Sequence, residues 1–475
     1  MTVSATSRDV PVAEAHVAQD TDGIDREALL HADRRTSQAL QQHAQTLIRQ
    51  NMSSAALSVL STALMIDPAP GTIRQIGQCL EALGMEDDAL LCYRGVIPDS
   101  VNRDYLDAEA LTPCIKEASA CEQIACHQAY EYESVKLSWP NRNQIDKKYG
   151  QFNYRNTEAR ASFCTVAING SVWFDGFNTA AFDSAGNIVK EHIKGNEFAC
   201  YHTSRLTTPH KLSGTVCFLD GRSSDIYYHW MLDILPKLGV VEKAGIALDE
   251  IDYFIVRAQS RYQKETLRLL GVQQDRIVNS GGNQFYTADK MIVPFLRNDL
   301  GERVYTGLGV GLATWIPKYL QRAFMPESMT GTDTARIYIS RSSRGSRNIA
   351  SEPELISQLE DRGFETVEFE HLSVPEQAEL MSRAEVVIGV HGAGFTNLSF
   401  CNSGTRVVEI FGDYVVPCYW ALSAVASLDY TQFMAKSVAD NSCISNPGEQ
   451  VSNLRDRQID IDVAEFISYL DSVLP

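Results

Sequence analysis

The chain has 475 residues, and its 44% hydrophobic content is typical of a globular protein with sizeable cores. A formal net charge of −18 argues against broad electrostatic binding to nucleic acid or to an anionic membrane surface. We expect no transmembrane helix, because no run of about 18 apolar residues occurs. The first residues lack an apolar signal core, which predicts a cytoplasmic protein with a disordered lead at 1–24.

The eleven cysteines are scattered and odd in number, so reduced thiols fit better than a disulfide framework. The nearest approach to a metal-binding string is Cys121, Cys126 and His127, which lacks a second pair of ligands at zinc-site spacing. We interpret the two cysteines as buried thiols with no ligand role. The sequence therefore predicts no metal site.

Residues 25–130 are predicted to form a helical domain with a weak internal repeat. Small and larger apolar positions recur after 33 residues: Ala44, Ala56, Leu60 and Ala63 return as Gly77, Ala89, Tyr93 and Val96. Small residues would let paired helices approach closely, and larger ones would fill the space between hairpins. The region resembles tetratricopeptide repeats, whose period is about 34 residues. A plain helical bundle is the alternative.

From residue 135 to 305, short β-rich runs alternate with amphipathic helices. Strands are predicted at 164–168, 171–174, 215–219, 253–256 and 290–294, with helices at 226–238 and 262–270. This alternation favours a parallel sheet with helical crossovers. We therefore predict a first Rossmann-like domain on the acceptor side.

A second Rossmann-like domain is predicted at 306–475, after a linking helix at 302–325 that breaks at Pro317. Strands are expected at 336–340, 366–369, 385–390 and 406–411. Two capping boxes, Ser351 with Glu354 and Ser373 with Glu376, are expected to open the helices between them. Ligands bind such sheets beyond the carboxyl ends of the strands.

The strongest site signal is the run from Val386 to Asn397, in which a strand enters a glycine-containing turn and then a helix. Gly392 and Gly394 permit backbone conformations and close approaches that a side chain would block. The following helix offers N–H groups to a diphosphate, and His391 could donate to a phosphate oxygen. A tight turn with a capping histidine is the structural alternative.

Further polar residues end neighbouring strands of this half. Arg341, Arg344 and Arg347 follow one strand, and the guanidinium fork suits phosphate oxygens. We choose Arg341 and Arg347 for the pyrophosphate. Glu409 ends another strand, where its carboxylate could accept hydrogen bonds from ribose hydroxyls. The alternatives are a solvated basic loop and an ordinary strand-end glutamate.

In the other half, His229 and Asp233 are four residues apart on one predicted helix, which Asp225 could cap. An aspartate beside a histidine can orient the ring, and the pair could deprotonate an acceptor hydroxyl. Alternatively, Asp233 pairs with Lys237 and His229 is a packed core histidine. Which of His229 and Asp233 is the base stays open.

These motifs together resemble glycosyltransferase family 61 over about residues 150 to 470. The matching pieces are Tyr227-Tyr-His-Trp-Met-Leu-Asp-Ile-Leu-Pro-Lys-Leu238, Ile339-Ser-Arg341, Arg347-Asn-Ile349, Glu352, Gly363-Phe364, Ser373-Val-Pro-Glu-Gln377, Gly389-Val-His-Gly-Ala-Gly394, Thr396-Asn397 and Glu409-Ile410. The resemblance implies a GT-B fold, with two facing Rossmann-like domains, and metal-independent transfer that inverts the anomeric carbon.

The resemblance also implies a uridine-diphosphate sugar as donor, a glycan or protein as acceptor, and no cofactor. The donor-binding residues it implies are Arg341, Arg347, His391, Gly392, Ala393, Gly394, Asn397 and Glu409. Asp460-Ile-Asp462 matches the Asp-x-Asp pattern of metal-dependent transferases, but it lies away from any predicted strand end. The chain is similar to bacterial-type, cytosolic members associated with polysaccharide assembly or protein glycosylation.

Two other functions fit parts of the same sequence. A tetratricopeptide-type adaptor could carry an inactive transferase domain, although the polar residues of the candidate site are intact. A nucleotide-sugar epimerase would share the donor pocket but need no acceptor groove. In the preferred interpretation, the helical region recruits the acceptor or a peptide partner, because such superhelices bind extended peptides in a groove.

Overall fold

Helices and strands alternate along most of the chain. The computed structural model describes residues 26–49, 53–66, 69–98, 101, 115–142, 155–174, 179–194, 209–280, 284–296, 311–325, 334–341, 347–412, 414–437 and 458–474. The predicted lead at 1–24 lies outside these residues. The chain divides into one unit of Met1–Tyr93 with Ile97–Val101, and a second of Arg94–Val96 with Asn102–Pro475.

The first unit is helical where it is described. Its helices are α1 (Arg26–Arg49), α2 (Ser53–Ile66), α3 (Pro70–Ala82) and α4 (Glu86–Tyr93). Ala44 and Ala56 are fully buried, and a Cβ atom on Gly77 would lie 2.9 Å from Cys92 Cβ. The predicted close approach of paired helices is therefore present at Gly77, between α3 and α4. Val96 lies beyond α4 and is exposed, so it does not fill an inter-hairpin space. Tetratricopeptide repeats stay a prediction.

The predicted helical region extends too far along the chain. Strands, not helices, are the main described elements after residue 114: β1 (Ile115–Lys116), β2 (Ile124–Tyr130), β3 (Glu133–Lys136), β4 (Asn141–Arg142) and β5 (Asn156–Ala159).

 β5 ends at Ala159, which pairs with Glu133 of β3. β2 pairs antiparallel with a strand that begins at Ser162, so its backbone hydrogen bonds run between strands and not along a helix.

The first sheet has ten described strands. Besides β1 and β2 they are β6 (Ser162–Ile168), β7 (Ser171–Phe174), β8 (Thr179–Phe182), β9 (Ile188–Val189), β10 (Pro209–Phe218), β11 (Tyr253–Ile255), β12 (Ile277–Val278) and β13 (Gln284–Phe295). β13, β10, β11 and β12 lie side by side and run parallel, as expected of a Rossmann-like half. β6 and β7 pair antiparallel with β13 and extend the sheet.

The second sheet is parallel throughout its described strands. These are β14 (Ala335–Ile339), β15 (Phe364–Val367), β16 (Ala384–Val390), β17 (Arg406–Phe411) and β18 (Asp429–Met434), with β4 at one edge. Their order is β15-β14-β16-β17-β18-β4. The strand order therefore reverses between β14 and β16, which makes this position the topological switch point of the sheet. Ligands of α/β sheets bind beside such a switch point.

The predicted boundary between two separate α/β domains at residue 305 is only partly correct. β4 comes from the first half of the chain but pairs with β18, where Asn141 lies opposite Thr431. Trp420 Nε1 also donates to the carbonyl of Ser138 at 2.8 Å. The segment around 138–142 therefore belongs to the second sheet, and sequence periodicity did not indicate this crossing.

The remaining helices surround the two sheets. They are α5, which joins Tyr227–His229, the π-helical turn Trp230–Ile234 and Pro236–Lys243, then α6 (Arg261–Leu269), α7 (Trp315–Phe324), α8 (Glu352–Glu360), α9 (Val374–Ser382), α10 (Cys418–Val425) and α11 (Val463–Val473). A 3₁₀ helix covers Ala393–Phe400, and β19 (Lys436–Ser437) pairs with β20 (Ile459–Asp460). Mixed α/β architecture, as predicted, describes this unit.

Two predicted helix details are wrong. Pro317 does not break the described part of the linking helix, because α7 begins at Trp315 and the proline lies in its first turn, where no N–H is required. Residues 302–310 of that predicted helix lie outside the described residues. Ser351 does not form a capping box with Glu354, because its hydroxyl donates to the distant carbonyl of Ile461 at 3.1 Å. The other predicted capping box, at Ser373, is confirmed.

One hydrophobic core spans both sheets. It includes Trp230 and Leu235 of α5, Ile316 of α7, and Phe395 and Phe400 of the 3₁₀ helix. All five side chains are fully buried. Since burial of apolar surface is the main favourable term in folding, this continuous core holds the two α/β halves together.

Candidate active site

Helix α5 carries the first group of candidate residues and contains a π-helical turn. The N–H of Leu235 donates to the carbonyl of Trp230 at 2.9 Å, a span of five residues. Pro236 follows and has no N–H to continue the ordinary helical pattern. Such turns are frequent at functional sites, and this one directly follows His229.

The predicted pairing of His229 with Asp233 is present. His229 Nδ1 lies 2.6 Å from Asp233 Oδ2. The two side chains are 34% and 24% exposed, so the pair is accessible from solvent. A carboxylate that accepts the Nδ1–H bond fixes the tautomer of the ring and leaves Nε2 for another molecule.

The alternative pairing of Asp233 with Lys237 is not adopted. Lys237 Nζ donates to the carbonyls of Leu219 and Asp220, at 2.6 and 2.7 Å. The prediction that Asp225 caps α5 is wrong, because Ile226 occupies the N-cap position. Asp225 Oδ1 lies 3.8 Å from Arg257 Nη1.

The second group lies where β14 and β16 end, at the point where the strand order of the second sheet reverses. Arg347 Nη1 donates to the carbonyl of His391 at 2.8 Å. A Cβ atom on Gly392 would lie 1.9 Å from Arg341 Nη1. Both arginines chosen for the pyrophosphate therefore contact the His391-Gly392 turn. Arg344 lies outside the described residues.

Gly392 is required for space and not for its backbone conformation. Its φ of 179° is extended backbone, which any residue adopts. The Arg341 guanidinium occupies the volume that a side chain at 392 would need. Gly394 is also closely approached, since a Cβ atom there would lie 3.3 Å from Ile339 Cγ2. Ala393, between them, is partly exposed and begins the 3₁₀ helix.

The carboxylate of Glu409 faces His391 and Tyr430. Its side chain is fully buried, and Oε1 lies 2.5 Å from His391 Nδ1. Tyr430 donates its hydroxyl to Oε2. Burial, reinforced by the Glu409 charge, raises the pKa of Tyr430 well above its usual value, so the phenol stays a donor. The interpretation of Glu409 as an acceptor for ribose hydroxyls is therefore wrong, and its contact is with His391.

Asn397 also has a different role from the one predicted. It is fully buried, its Oδ1 accepts from the Tyr227 hydroxyl at 2.8 Å, and its Nδ2 donates to Gln377 Oε1 at 2.7 Å. Gln377 Nε2 donates in turn to the carbonyl of Phe369 at 3.1 Å. Asn397 is thus a bridge between α5 and the second half, and no side-chain atom of it is accessible to a donor.

Aromatic rings connect the two histidines. The Tyr228 ring contacts His229 at 5.2 Å and Tyr419 at 5.6 Å between centroids. Tyr419 contacts His391 at 5.2 Å, and Phe411 stacks on the other side at 5.3 Å. Burial raises the pKa of both tyrosines well above the usual value. His229 and His391 are therefore connected by a continuous series of ring contacts through the uncharged Tyr228 and Tyr419.

Sequence reasoning missed the role of Glu352. Its Oε1 accepts from the Tyr338 and Ser340 hydroxyls, both at 2.9 Å, and from the Arg341 N–H at 3.4 Å. This buried carboxylate fixes the end of β14, where Arg341 leaves the strand. Tyr227 and Gln377 were likewise present in the motifs without a role, because their contacts join residues 150 positions apart.

Other candidate patterns do not converge on this site. Asp462 caps α11, since its Oδ1 accepts from the Glu465 N–H at 3.0 Å. Across the described segments, no three histidine, cysteine, aspartate or glutamate residues are grouped as metal ligands. Cys126 is exposed and Cys121 partly so, which corrects their prediction as buried. The eight described cysteines are free thiols.

None of the described helices is both long enough and apolar enough to cross a membrane.

Comparison with known proteins gives a family for the central part of the chain. Residues 227–408 match the family described as Glycosyltransferase 61. This segment begins at Tyr227 in α5 and ends one residue before Glu409, so it contains His229, Arg341 and His391.

Two curated proteins are similar to shorter parts of the chain. The EGF domain-specific O-linked N-acetylglucosamine transferase of Drosophila melanogaster is 24% identical over 137 residues, or 28% of this chain and 26% of that protein. The beta-1,2-xylosyltransferase RCN11 of Oryza sativa subsp. japonica is 40% identical over 63 residues, or 13% of this chain and 12% of that protein. The chain thus spans about a quarter or less of these relatives.

Among solved structures, the iron-containing dodecameric glycosyltransferase TibC of enterotoxigenic E. coli H10407 aligns at 11% identity, with a TM-score of 0.23. The alignment covers 54% of this chain and 76% of that one, and so low a score carries no argument about the fold. The family match rests on sequence, and it includes Arg341 and His391 at the ends of β14 and β16 as well as His229 on α5. Residues 227–408 are therefore similar to the Glycosyltransferase 61 family, and both curated relatives are named as glycosyltransferases.

Proposed function

We propose that this chain is an inverting, metal-independent glycosyltransferase that moves a sugar from a uridine-diphosphate sugar to a hydroxyl group of a glycan or protein acceptor. The observation that carries the proposal is the juxtaposition of two groups. A solvent-accessible His229–Asp233 pair on α5 is tied, through Tyr227 and Asn397, to the half that holds Arg341 and His391.

On the donor side, the diphosphate would lie at the ends of β14 and β16. Arg341 and Arg347 supply guanidinium groups, and charge-assisted bonds from such groups to phosphate oxygens are strong. His391 offers Nε2, because Nδ1 is bonded to Glu409. These groups would meet the negative charge that develops on the leaving diphosphate, the task that a metal ion has in other transferases.

On the acceptor side, His229 is the proposed base. Asp233 holds Nδ1, so Nε2 would take the proton from the acceptor hydroxyl. The acceptor oxygen then forms a bond to the anomeric carbon while the bond from that carbon to the phosphate oxygen breaks. Both electrons of the broken bond leave with uridine diphosphate. A single displacement of this kind inverts the anomeric configuration.

The first test is calorimetric binding of uridine diphosphate and a panel of nucleotide sugars, with and without a chelator. We expect one uridine-diphosphate sugar to bind equally well with chelator present, and Arg341→Ala to weaken its binding sharply. Arg336→Ala is the matched control, because Arg336 lies near the opposite end of the same strand. Binding of no nucleotide by the wild-type protein would refute the donor site and favour an adaptor with an inactive domain.

The second test is transfer by a His229→Ala variant that still binds donor. Loss of transfer with donor affinity intact supports the base assignment, and undiminished transfer rejects it. Conversion of the donor with no acceptor present would instead indicate an epimerase.

We further propose that the protein acts in the cytoplasm in polysaccharide assembly or protein glycosylation. Helices α1 to α4 would bind a peptide segment of an acceptor or partner. The support for this is the close helix packing at Ala44, Ala56 and Gly77. Deletion of residues 1–101 should then lower transfer to the natural acceptor while donor binding stays unchanged.

A further inference from the structure

Lys237 is a partly buried lysine on α5 whose contacts the proposed reaction does not use. It follows Asp233 by one turn of helix, and its side chain crosses to the carboxyl end of β10. There Nζ donates to the carbonyls of Leu219 and Asp220. The lysine therefore ties the helix that carries His229 and Asp233 to the end of a central strand.

The strand end that Lys237 contacts is itself built from polar bonds. Asp220 is buried, its Oδ1 accepts from the Gly221 N–H at 2.7 Å, and its Oδ2 accepts from the Ser280 hydroxyl. The N–H of Leu219 donates to the carbonyl of Ile255 at 2.9 Å. Hydrogen bonds thus join the ends of β10 and β11 to the residues that follow β12. Lys237 connects the Leu219–Asp220 segment to α5.

The charges that face Lys237 come from several elements. Asp220 and Cys217 lie on β10 and the turn after it, Asp233 lies on α5, and Lys194 and His192 lie in the segment after β9. Burial, followed by the nearby Lys194, lowers the pKa of Lys237 to about 7, although Asp220 and Asp233 act in the opposite direction. Burial likewise lowers the pKa of His192 to about 3, so that ring is neutral.

We propose that Lys237 is a positioning residue for the acceptor side of the reaction, an inference that rests on the proposed function. It fixes α5 against the end of β10 so that Asp233 holds the His229 ring in place. Both of its bonds are to carbonyls at the strand end, so the lysine acts through the position of α5 and not by contact with a substrate.

The test compares three variants in transfer and donor-binding assays at one pH. In Lys237→Met we expect kcat to fall about tenfold or more, with donor Kd changed less than about twofold. Lys237→Arg keeps both charge and donors and should restore most of the wild-type kcat. Lys243→Met, an exposed lysine on the same helix, is the matched control and should behave as wild type.

A second measurement needs no substrate. The ring resonances of His229 are followed by NMR in histidine-labelled protein, with His229→Gln used for assignment. Displaced His229 ring resonances in Lys237→Met, with unmoved ones in Lys243→Met, support the proposal, even where no transfer is detected. Wild-type His229 resonances in Lys237→Met overturn it while leaving the proposed function intact. If Lys237→Met does not fold, Lys237→Gln takes its place, since its amide can donate without charge.

Discussion

The substitution Gly392→Ala gives the sharpest test of the donor site. The new Cβ atom would lie 1.9 Å from Arg341 Nη1 and 3.0 Å from Cζ, where ordinary contact begins at 3.4 Å. The backbone at residue 392 can stay as it is, because a φ of 179° is extended and alanine adopts it without strain. The guanidinium must therefore move away while the fold is retained.

The size of the effect follows from the bond that is lost. A hydrogen bond to a charged group contributes about 1.5–3 kcal/mol. Since about 1.4 kcal/mol corresponds to a factor of ten, donor affinity should fall roughly 10- to 150-fold. Thermal stability should change little, because no buried apolar group is removed.

Calorimetric titration with uridine diphosphate measures this loss directly. Gly71→Ala, at a glycine whose Cβ atom would meet no neighbour within 4 Å, is the matched control. A double-mutant cycle separates the cause: in an Arg341→Ala background, Gly392→Ala should have no further effect. Wild-type affinity in the single variant, or an undiminished loss in the double variant, would refute the assignment of Arg341 to the diphosphate.

Other substitutions test separate contacts. Tyr227→Phe removes the hydroxyl that donates to buried Asn397, so the free energy of unfolding should fall by about 1–3 kcal/mol in denaturant titrations, and unchanged stability would contradict the bridge. Asp462→Ala removes a helix cap and should lower the free energy of unfolding by about 1 kcal/mol. Donor binding should stay unchanged, with or without chelator. Loss of donor binding in this variant would instead indicate a metal-binding role for Asp462. Because the pKa of Lys237 is lowered from 10.5 to about 7, the unfolded chain binds more protons above pH 7, and stability should rise from pH 7 to 8.5. That rise in stability should be smaller in Lys237→Met. Equal slopes of stability against pH in the two proteins would contradict the lowered pKa of Lys237.

Local patterns predicted much of the fold. The strands around Arg336, Glu385 and Arg406 and the capping box at Ser373 depend on neighbouring residues, and the structure has them. The pairing of His229 with Asp233 was predictable for the same reason, because four residues along a helix bring two side chains together.

The errors concern contacts between distant parts of the chain. Glu409 ends a strand as predicted, but whether its carboxylate meets solvent or His391 depends on how β17 packs beside β16. Asn397 bonds to Tyr227, 170 positions away, and nothing near either residue indicates this. The Ser351 hydroxyl donates to the carbonyl of Ile461, 110 positions away, and does not cap its own helix. Tertiary packing decided each of these cases.

The continuous core across the two sheets restricts how the enzyme can work through a reaction cycle. A hinge motion that parted the sheets would expose Trp230, Phe395 and Phe400 to water, at about 1.5–3 kcal/mol for each large apolar side chain. Binding of a substrate would have to offset that cost each time the sheets parted. In the proposed transfer, we infer that the acceptor hydroxyl and the donor diphosphate meet without separation of the two sheets, and that discrimination among acceptors depends on the shape of the site before binding.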